Sequence, residues 1–349
     1  MQEFHEFLKT AVPHWDMSTV QIDKLFGQAS ARQYFRVTSA DGDTKLIMKI
    51  PGGFASPAEE FTKIHPDAPK EFPFLNVLKY LHSLDLPAPQ VFHYDASKGL
   101  VLLQDLGDES FENLIIKADG GPLVKFYYQK AIDLLIQMQS QTAQNATTDC
   151  VAYFRKFDAD LLNWEFDHFL DYGIEDRLKL KVSDADKASF IEHTRRLTQQ
   201  IAAMPQGFVH RDFQSRNLMF HEMDLYLIDF QDALMGPVLY DLVALLRDSY
   251  INLSPQTVDE LIEYYSTHLP ATHPYANNTA QIRTDFYTIT LQRKLKDAGR
   301  FQYIDTVRKN PNFLVHIPWT LQFLKHAFLQ VPEAQRLHAT LKNYVPEFK

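Results

Sequence analysis

The distribution of glycine restricts the nucleotide-binding folds that this chain can adopt. Only 12 of its 349 residues are glycine, about 3%, whereas ~7% is usual in globular proteins. No two glycines are separated by a single residue, which excludes the G-x-G-x-x-G fingerprint of Rossmann domains and the glycine loop of protein kinases. The chain also lacks the G-x-x-x-x-G-K-[ST] phosphate loop. A nucleotide would therefore have to be held by another kind of loop.

Length and composition indicate an ordered protein with two lobes or domains. At ~150 residues per domain, the length suits two units, and 45% hydrophobic residues with 23% charged residues are typical of globular chains. The single cysteine, Cys150, excludes an internal disulfide and a cysteine-based zinc site, and it favours a reducing compartment. The N-terminus is acidic, unlike a signal peptide, and no apolar run is long enough to span a membrane. We therefore expect a cytoplasmic protein, a monomer or weak dimer, without a membrane partner.

The net charge adds one further exclusion. A net charge of −9 argues against a nucleic-acid interface, because such an interface needs clustered Lys and Arg residues. It does not exclude a small anionic ligand, which a few local cations can hold. We therefore expect no nucleic-acid partner.

The first ~105 residues are predicted to form a small lobe rich in strands. Short alternating segments surround the turn Asp41-Gly42-Asp43, a hairpin signal. Leucines recur at helical spacing before Pro87 and Pro89, which end that helix. The predicted strands are 33–39, 45–50, 91–94 and 100–104, and the predicted helix is 70–85.

After Leu106-Gly107-Asp108 the pattern becomes mainly helical. Two short strands, 218–220 and 225–229, interrupt it. We predict an α+β protein with a β-rich lobe over 1–105 and a larger helical lobe over 106–349, with a ligand cleft between them. The predicted helices are 122–140, 158–171, 183–203, 238–250, 255–268, 279–300 and 316–328.

The segment 209–232 carries the most specific motif of the chain. His210-Arg211-Asp212, then Asn217 five positions later and Asp229 after a strand, match the H-R-D-x-x-x-x-N and Asp-Phe spacing of phosphoryl-transfer loops. Asp212 suits a base that accepts the proton of an attacking hydroxyl. Asn217 and Asp229 supply the oxygen ligands that Mg²⁺ prefers. We expect His210 to hold the backbone of the loop.

Lys49 is the candidate cation of the small lobe. It ends the alternating segment Ile47–Ile50, and phosphates need a fixed counter-charge. Its partner is expected to be a carboxylate on the following helix. Glu71 is the candidate, and Glu59 and Glu60 remain alternatives.

These motifs together resemble the aminoglycoside phosphotransferase-like kinases, and most closely the branch that contains the bacterial anomeric kinases of N-acetylmuramate and N-acetylglucosamine. The resemblance is dense at the catalytic loop and thin between 141 and 205. It implies a bilobal protein-kinase-like fold, ATP with Mg²⁺, and a small-molecule hydroxyl acceptor. The segments that carry it are 27–37, 46–50, 73–92, 102–108, 210–219, 229–242 and 291–301.

The resemblance also implies roles for individual residues. Asp212 is the catalytic base, and Asn217 and Asp229 are metal ligands. Lys49 lies on the nucleotide phosphates, and Asp241 braces the catalytic loop.

The adenine and the phosphate turn are assigned in the same way. The stretch 103–106 corresponds to a hinge along which adenine hydrogen-bonds, so Gln104 and Leu106 are cofactor-binding candidates. A turn over 27–32 replaces the glycine loop, with Ser30 covering the phosphates and Arg32 adding positive charge.

Two features depart from the related kinases. Gln231 replaces the glycine of the protein-kinase Asp-Phe-Gly, and only 12 residues separate Asp229 from Asp241, so a protein-substrate activation segment does not fit. Within the branch a histidine is expected where this chain has Gln214, which leaves the sugar specificity open.

Further residues are candidates for contacting the acceptor. Arg216 is assigned to catalysis because the catalytic loop holds it near the cleft, whereas other cations are either acceptor contacts or exposed surface charges. A carboxylate and aromatic side chains on the helix near 164–169 either line an acceptor pocket or pack in the core. The other cations are Arg211, Arg293 and Lys294, and the helix residues are Trp164, Glu165, Phe166 and Phe169.

Three functions fit the sequence. The first is an ATP-dependent kinase of an amino sugar in cell-wall recycling, with the anomeric hydroxyl as a candidate acceptor. The second is a kinase of another small acceptor, such as an aminoglycoside, a choline-like alcohol or a homoserine-like compound. The third is an inactive nucleotide-binding module, which would not need a base such as Asp212.

Overall fold

The N-lobe is built on a five-stranded antiparallel sheet. The computed structural model describes residues 2–25, 32–50 and 65–349. The strand order is β1-β2-β3-β5-β4, and Gly42, with φ of 87°, turns the chain between β2 and β3. The elements are α1 (Gln2–Ala11), β1 (Gln21–Leu25), β2 (Gln33–Thr38), β3 (Thr44–Lys49), α2 (Pro73–Ser83), β4 (Val91–Asp95) and β5 (Leu100–Gln104).

Opposite faces of this sheet pack against different partners. Helix α1 lies on one face, where Phe4 and Phe7 join Ile47 and other strand residues in a small core. Met48, the next residue of β3, points to the other face and belongs to the main core with α2 and the C-lobe. The alternation of side chains along a strand therefore decides which β3 residues can reach the cleft.

The predicted strands and the helix of the N-lobe are present with small shifts of their ends. Helix α1 and strand β1 are additional elements that we did not predict. Helix α1 is amphipathic, and its apolar side covers the outer face of the sheet. This N-terminal helix therefore adds a layer to the lobe on the outer face of the sheet.

The C-lobe is mainly helical. Its first helix begins seven positions after β5 ends, and all the predicted C-lobe helices are present. Helix α9 runs through the middle of the lobe, and much of it is buried. The helices are α3 (Phe111–Ala118), α4 (Pro122–Gln144), α5 (Ala159–His168), α6 (Asp184–Ala203), α7 (Tyr240–Leu246), α8 (Pro255–His268), α9 (Thr279–Arg308), α10 (Ile317–Gln330) and α11 (Gln335–Lys342).

A stretch of π-helix, Phe169–Asp176, continues α5. A Cβ atom at Gly299 of α9 would lie 2.8 Å from the backbone oxygen of His168. Glycine at this position therefore lets α9 approach the start of the π-helix closely.

Two small antiparallel sheets, each of two strands, hold the segment 209–232. One pairs β6 with β9 at the two ends of the segment, and the other is the β7–β8 hairpin within it. The predicted strands at 218–220 and 225–229 correspond to β7 and β8. The four strands are β6 (Gln206–Val209), β7 (Leu218–His221), β8 (Asp224–Leu227) and β9 (Leu234–Pro237).

The sequence predicted that no helix of this chain spans a membrane. Across the described ranges 2–25, 32–50 and 65–349, no helix has the length and apolarity needed to cross a bilayer.

Candidate active site

Asp241 holds the start of the catalytic loop. Its carboxylate accepts hydrogen bonds from the backbone N–H groups of His210 (2.7 Å) and Arg211 (2.9 Å). Arg211 has φ of 78°, an uncommon conformation for a non-glycine residue, so these bonds stabilise a strained turn. Burial raises the pKa of Asp241 to about 7, although the two amide hydrogen bonds oppose this shift. The loop therefore depends on a buried carboxyl group behind it.

His210 fastens the loop to the end of the β7–β8 hairpin. Its side chain is buried, and its Nε2 lies 3.0 Å from the backbone oxygen of Ile228. Burial lowers the pKa of His210, which favours the neutral imidazole. These contacts agree with the predicted structural role of this histidine.

Asp212 lies at the centre of the site. Arg293 donates to its Oδ1 (3.1 Å) and also to the backbone oxygen of Arg211 (2.7 Å), which fixes the position of the carboxylate. The Asp212 side chain is 36% exposed. Burial alone would raise the pKa of Asp212, but the positive charges of Lys296 and Arg293 outweigh burial and lower it to about 2. The carboxylate is therefore ionised at neutral pH and available to a ligand.

Asn217 and Asp229 form an oxygen-donor pair beside this base. The Asn217 amide nitrogen donates to the backbone oxygen of Asp212 (2.9 Å), which leaves the amide oxygen to accept from elsewhere. Asp229 has φ of 61°, a left-handed conformation that Asp tolerates, and its side chain is 42% exposed. An amide oxygen and an accessible carboxylate match the ligand preference of Mg²⁺.

Arg32 brings positive charge from the N-lobe to this pair. Its guanidinium lies 3.0 Å from Asp229 Oδ1. Tyr34, two residues after Arg32, packs against the main core on the same face of the sheet as Met48. Ser30, the other predicted residue of the phosphate turn, lies outside the described residues.

The structure does not bring Lys49 and Glu71 together, so this predicted ion pair is wrong, and the alternatives Glu59 and Glu60 lie outside the described residues. Lys49 Nζ lies 2.7 Å from Glu3 of α1 and above the ring of Phe4. Glu71 instead pairs with Lys79. The reason is strand alternation: Lys49 shares the outer face of β3 with Ile47, whereas the cleft lies on the opposite face.

Arg216 also differs from its predicted catalytic role. Its guanidinium forms a bidentate ion pair with Glu112 of α3, at 2.7 and 3.0 Å, and lies 3.5 Å from the centre of the Tyr250 ring. These contacts occupy the planar group on two sides. Arg216 thus joins the catalytic loop to the first C-lobe helix rather than facing Asp212.

The hinge is fixed by an arginine that the sequence analysis missed. Arg36 of β2 donates to both oxygens of Asp105 (2.6 and 3.0 Å) and both oxygens of Asp108 (3.0 and 2.9 Å). Gln104 stays in the sheet through its backbone N–H, which donates to Gln90 (2.8 Å), and Leu106 is buried. The two acidic residues near Gly107, Asp105 and Asp108, were the signal in the sequence that could have indicated this arginine contact.

The acceptor-side candidates divide into core and network residues. Phe166 and Phe169 are fully buried, so the core alternative is correct for them, and Trp164 stacks on His168 (5.3 Å between ring centres). Glu165 is buried and accepts from Gln292 (2.5 Å). Its other oxygen lies 3.4 Å from Arg211, and the buried Lys294 contacts Asp297 (2.5 Å) and Ser249 (3.0 Å).

The sequence pattern of the phosphotransferase enzyme family matches residues 23–275. The chain belongs to this family. The N-acetylmuramate/N-acetylglucosamine kinase of Neisseria meningitidis serogroup B is 28% identical over 342 residues, which cover 97% of this chain and 94% of that protein.

Solved structures show the same fold at low sequence identity. Choline kinase LicA from Streptococcus pneumoniae superposes with a TM-score of 0.61 at 12% identity, covering 93% of this chain and 98% of that one. Amicoumacin kinase hAmiN, solved in complex with AMP-PNP, Ca²⁺ and Ami, gives a TM-score of 0.57 at 13% identity and 92% coverage of both chains. The predicted protein-kinase-like fold and the predicted phosphotransferase class are confirmed.

Proposed function

We propose that this phosphotransferase is an ATP-dependent kinase that phosphorylates an amino sugar of the N-acetylmuramate and N-acetylglucosamine type. The fixed, ionised and partly exposed carboxylate of Asp212 carries the proposal for the reaction, because a hydroxyl acceptor needs a group that orients it and takes its proton. The named relative, which matches nearly the full length of both chains, supports the acceptor class.

Asp212 acts late in the reaction. Its lowered pKa makes it a weak base, so it does not ionise the acceptor hydroxyl in advance. It accepts the proton as the hydroxyl oxygen bonds to the γ-phosphorus of ATP and the bond to ADP breaks. Loose phosphoryl-transfer transition states need this positioning more than a strong base.

The nucleotide is held from both lobes. Asn217 and Asp229 would hold Mg²⁺, which would neutralise charge on the phosphates. Arg32 leaves Asp229 and binds the phosphates when the nucleotide enters, because the same carboxylate oxygen cannot serve both cations equally well. The backbone of residues 103–106, with Gln104 and Leu106, lines the adenine, and the N-lobe over 1–105 and the C-lobe over 106–349 close around it.

A coupled assay of ADP release with a panel of sugars, amino sugars, choline and aminoglycosides tests the function. We expect turnover with N-acetylmuramate or N-acetylglucosamine, and phosphorus NMR of the product will identify the phosphorylated hydroxyl, with the anomeric position expected. Turnover restricted to choline or an aminoglycoside would contradict the sugar assignment.

The metal ligands are tested in the same preparation. Asp229→Ala is expected to abolish Mg²⁺-dependent ATP binding measured by calorimetry, while Asp224→Ala, an exposed hairpin residue, should leave it unchanged. Unchanged binding in the Asp229 variant would remove this residue from the metal site.

A further inference from the structure

Lys296 of α9 lies one helical turn after Arg293, the residue that holds the proposed base, and it is not part of the proposed nucleotide site. The Lys296 ammonium lies 3.4 Å from the carboxylate of Asp297, and its positive charge helps to hold the pKa of Asp212 below the usual value. Arg293, three residues earlier on the same helix face, holds Asp212 directly. Lys296 therefore lies on the α9 side of the base, whereas Arg32 and Asp229 lie on the N-lobe side.

The neighbouring cations each have a closer partner than Lys296 has. Arg293 contacts Asp212 at 3.1 Å, and Lys294 contacts Asp297 at 2.5 Å. Within the described residues, Lys296 forms a single ion pair, with the second oxygen of Asp297 at 3.4 Å. In the described part of the chain its ammonium donates no hydrogen bond, although an ammonium has three donors.

The Lys296 ammonium is nevertheless accessible. Its side chain is 15% exposed. Among the described residues, some buried side-chain atoms lack a hydrogen-bond partner, and the Lys296 nitrogen is not one of these enclosed atoms. Burial lowers the pKa of a lysine, but here the Tyr240 phenol and the Asp297 carboxylate outweigh burial, so the pKa of Lys296 is raised and the group stays charged. A charged, mostly desolvated ammonium with unused donors is suited to binding an anion.

The same face of α9 continues away from Asp212 with polar and aromatic side chains. Arg300 lies above the Tyr303 ring, at 5.0 Å, and Tyr303 packs against His168 and Tyr172 of the opposing helix. Positions 296, 300 and 303 share one helix face. Lys296 and this aromatic group therefore lie on one side of α9.

We propose that Lys296 binds an anionic group of the acceptor, so that the enzyme prefers an amino sugar that carries a carboxylate over the corresponding neutral sugar. This inference rests on the proposed function, since it requires an amino-sugar acceptor at Asp212. N-acetylmuramate carries such a carboxylate and N-acetylglucosamine does not. Lys296 thus selects between two acceptors that undergo the same reaction.

The test compares the two sugars in Lys296→Met, Lys296→Arg and the wild type. Methionine keeps much of the length of lysine and removes its charge, and loss of a charge-assisted contact is typically ~10-fold or more in affinity. We expect the ratio of kcat/KM for N-acetylmuramate to that for N-acetylglucosamine to fall by at least ~10-fold in Lys296→Met, mainly through KM. Lys296→Arg should recover part of this ratio, and the exposed control Lys342→Met should leave it unchanged.

Several results would overturn the inference. An unchanged ratio, or equal loss of kcat with both sugars, would mean that Lys296 serves the transferring phosphoryl group or only the structure. Thermal melting of each variant identifies a folding defect, and the arginine variant keeps the charge test valid if methionine unfolds the protein. A wild type that phosphorylates only the neutral sugar contradicts this inference and leaves the proposed function intact, whereas inactivity toward both sugars removes both.

Discussion

The two walls of the cleft are organised differently. On the C-lobe wall, buried partners fix Asp212 and its loop before any ligand binds, through Arg293 and Asp241. On the N-lobe wall, Arg32 is held by an ion pair with Asp229, a residue of the opposite lobe. The difference indicates that the base is preorganised, whereas the N-lobe cation must change partners when the nucleotide binds.

Removing the base should have the largest effect on this arrangement. We expect Asp212→Asn to lower kcat by at least ~10², the usual loss for a general base, while ATP binding is retained. The matched control is Asp184→Asn at an exposed position of α6. Near-normal turnover in steady-state assays would show that the fixed carboxylate is not the base.

Substitution of Asp241, which holds the catalytic loop behind Asp212, should have the next largest effect. Because the pKa of folded Asp241 is about 7 and its ordinary value is 3.8, the folded state binds more protons than the unfolded state between these values. The free energy of unfolding should therefore fall as the pH rises from 4 to 7, by up to ~1.4 kcal/mol per pH unit.

Denaturant unfolding of the wild type and Asp241→Asn over this pH range isolates the contribution of Asp241 to the pH dependence of the free energy of unfolding. The variant is expected to be less stable at every pH and to lack this part of the slope. Parallel pH profiles for the two proteins would mean that Asp241 titrates normally and that the C-lobe wall is held by other groups.

The N-lobe wall is tested by a matched pair of variants. Arg32→Met should raise the KM for ATP by ~10-fold, the loss typical of a charge-assisted contact with phosphate. Lys49→Met should change it less than twofold, because Lys49 lies on the outer face of the sheet with Glu3. The reverse order of effects would restore Lys49 as the phosphate ligand and show that the lobe rearranges on binding.

The smallest expected effect concerns Arg216, which connects the catalytic loop to α3. A double-mutant cycle with Glu112→Gln and Arg216→Met should give a coupling of ~1 kcal/mol in the free energy of unfolding, and both single variants should lose activity to the same modest extent. A far larger activity loss in the Arg216 variant alone would support the original catalytic assignment.

Local patterns predicted the parts of the fold and site that are local in sequence. The spacing of Asp212, Asn217 and Asp229 predicted a catalytic loop. In the structure Asn217 donates to the backbone of Asp212 and accepts from the backbone N–H of Ile228, the residue before Asp229. Helical periodicity predicted the C-lobe helices because each buries one continuous stripe. The turn at Gly42 was predicted from the sequence Asp41-Gly42-Asp43, which is also a local signal.

The errors concern partners that are distant in sequence or faces that a pattern leaves open. An alternating strand does not reveal which face meets the cleft, so Lys49 was placed on the wrong side. Glu112 lies 104 positions before Arg216, and no local signal connects them. Lys296 was overlooked because its role depends on α9 packing beside the catalytic loop.

Helix α1 has a practical consequence for handling this protein. A shortened chain that begins after Val12 would uncover the outer sheet face, where Val37, Ile47 and Leu102 are fully buried. Exposed apolar patches of this kind promote self-association. A variant that starts translation after this helix should therefore be poorly recovered from the supernatant even though every residue of the catalytic loop is present.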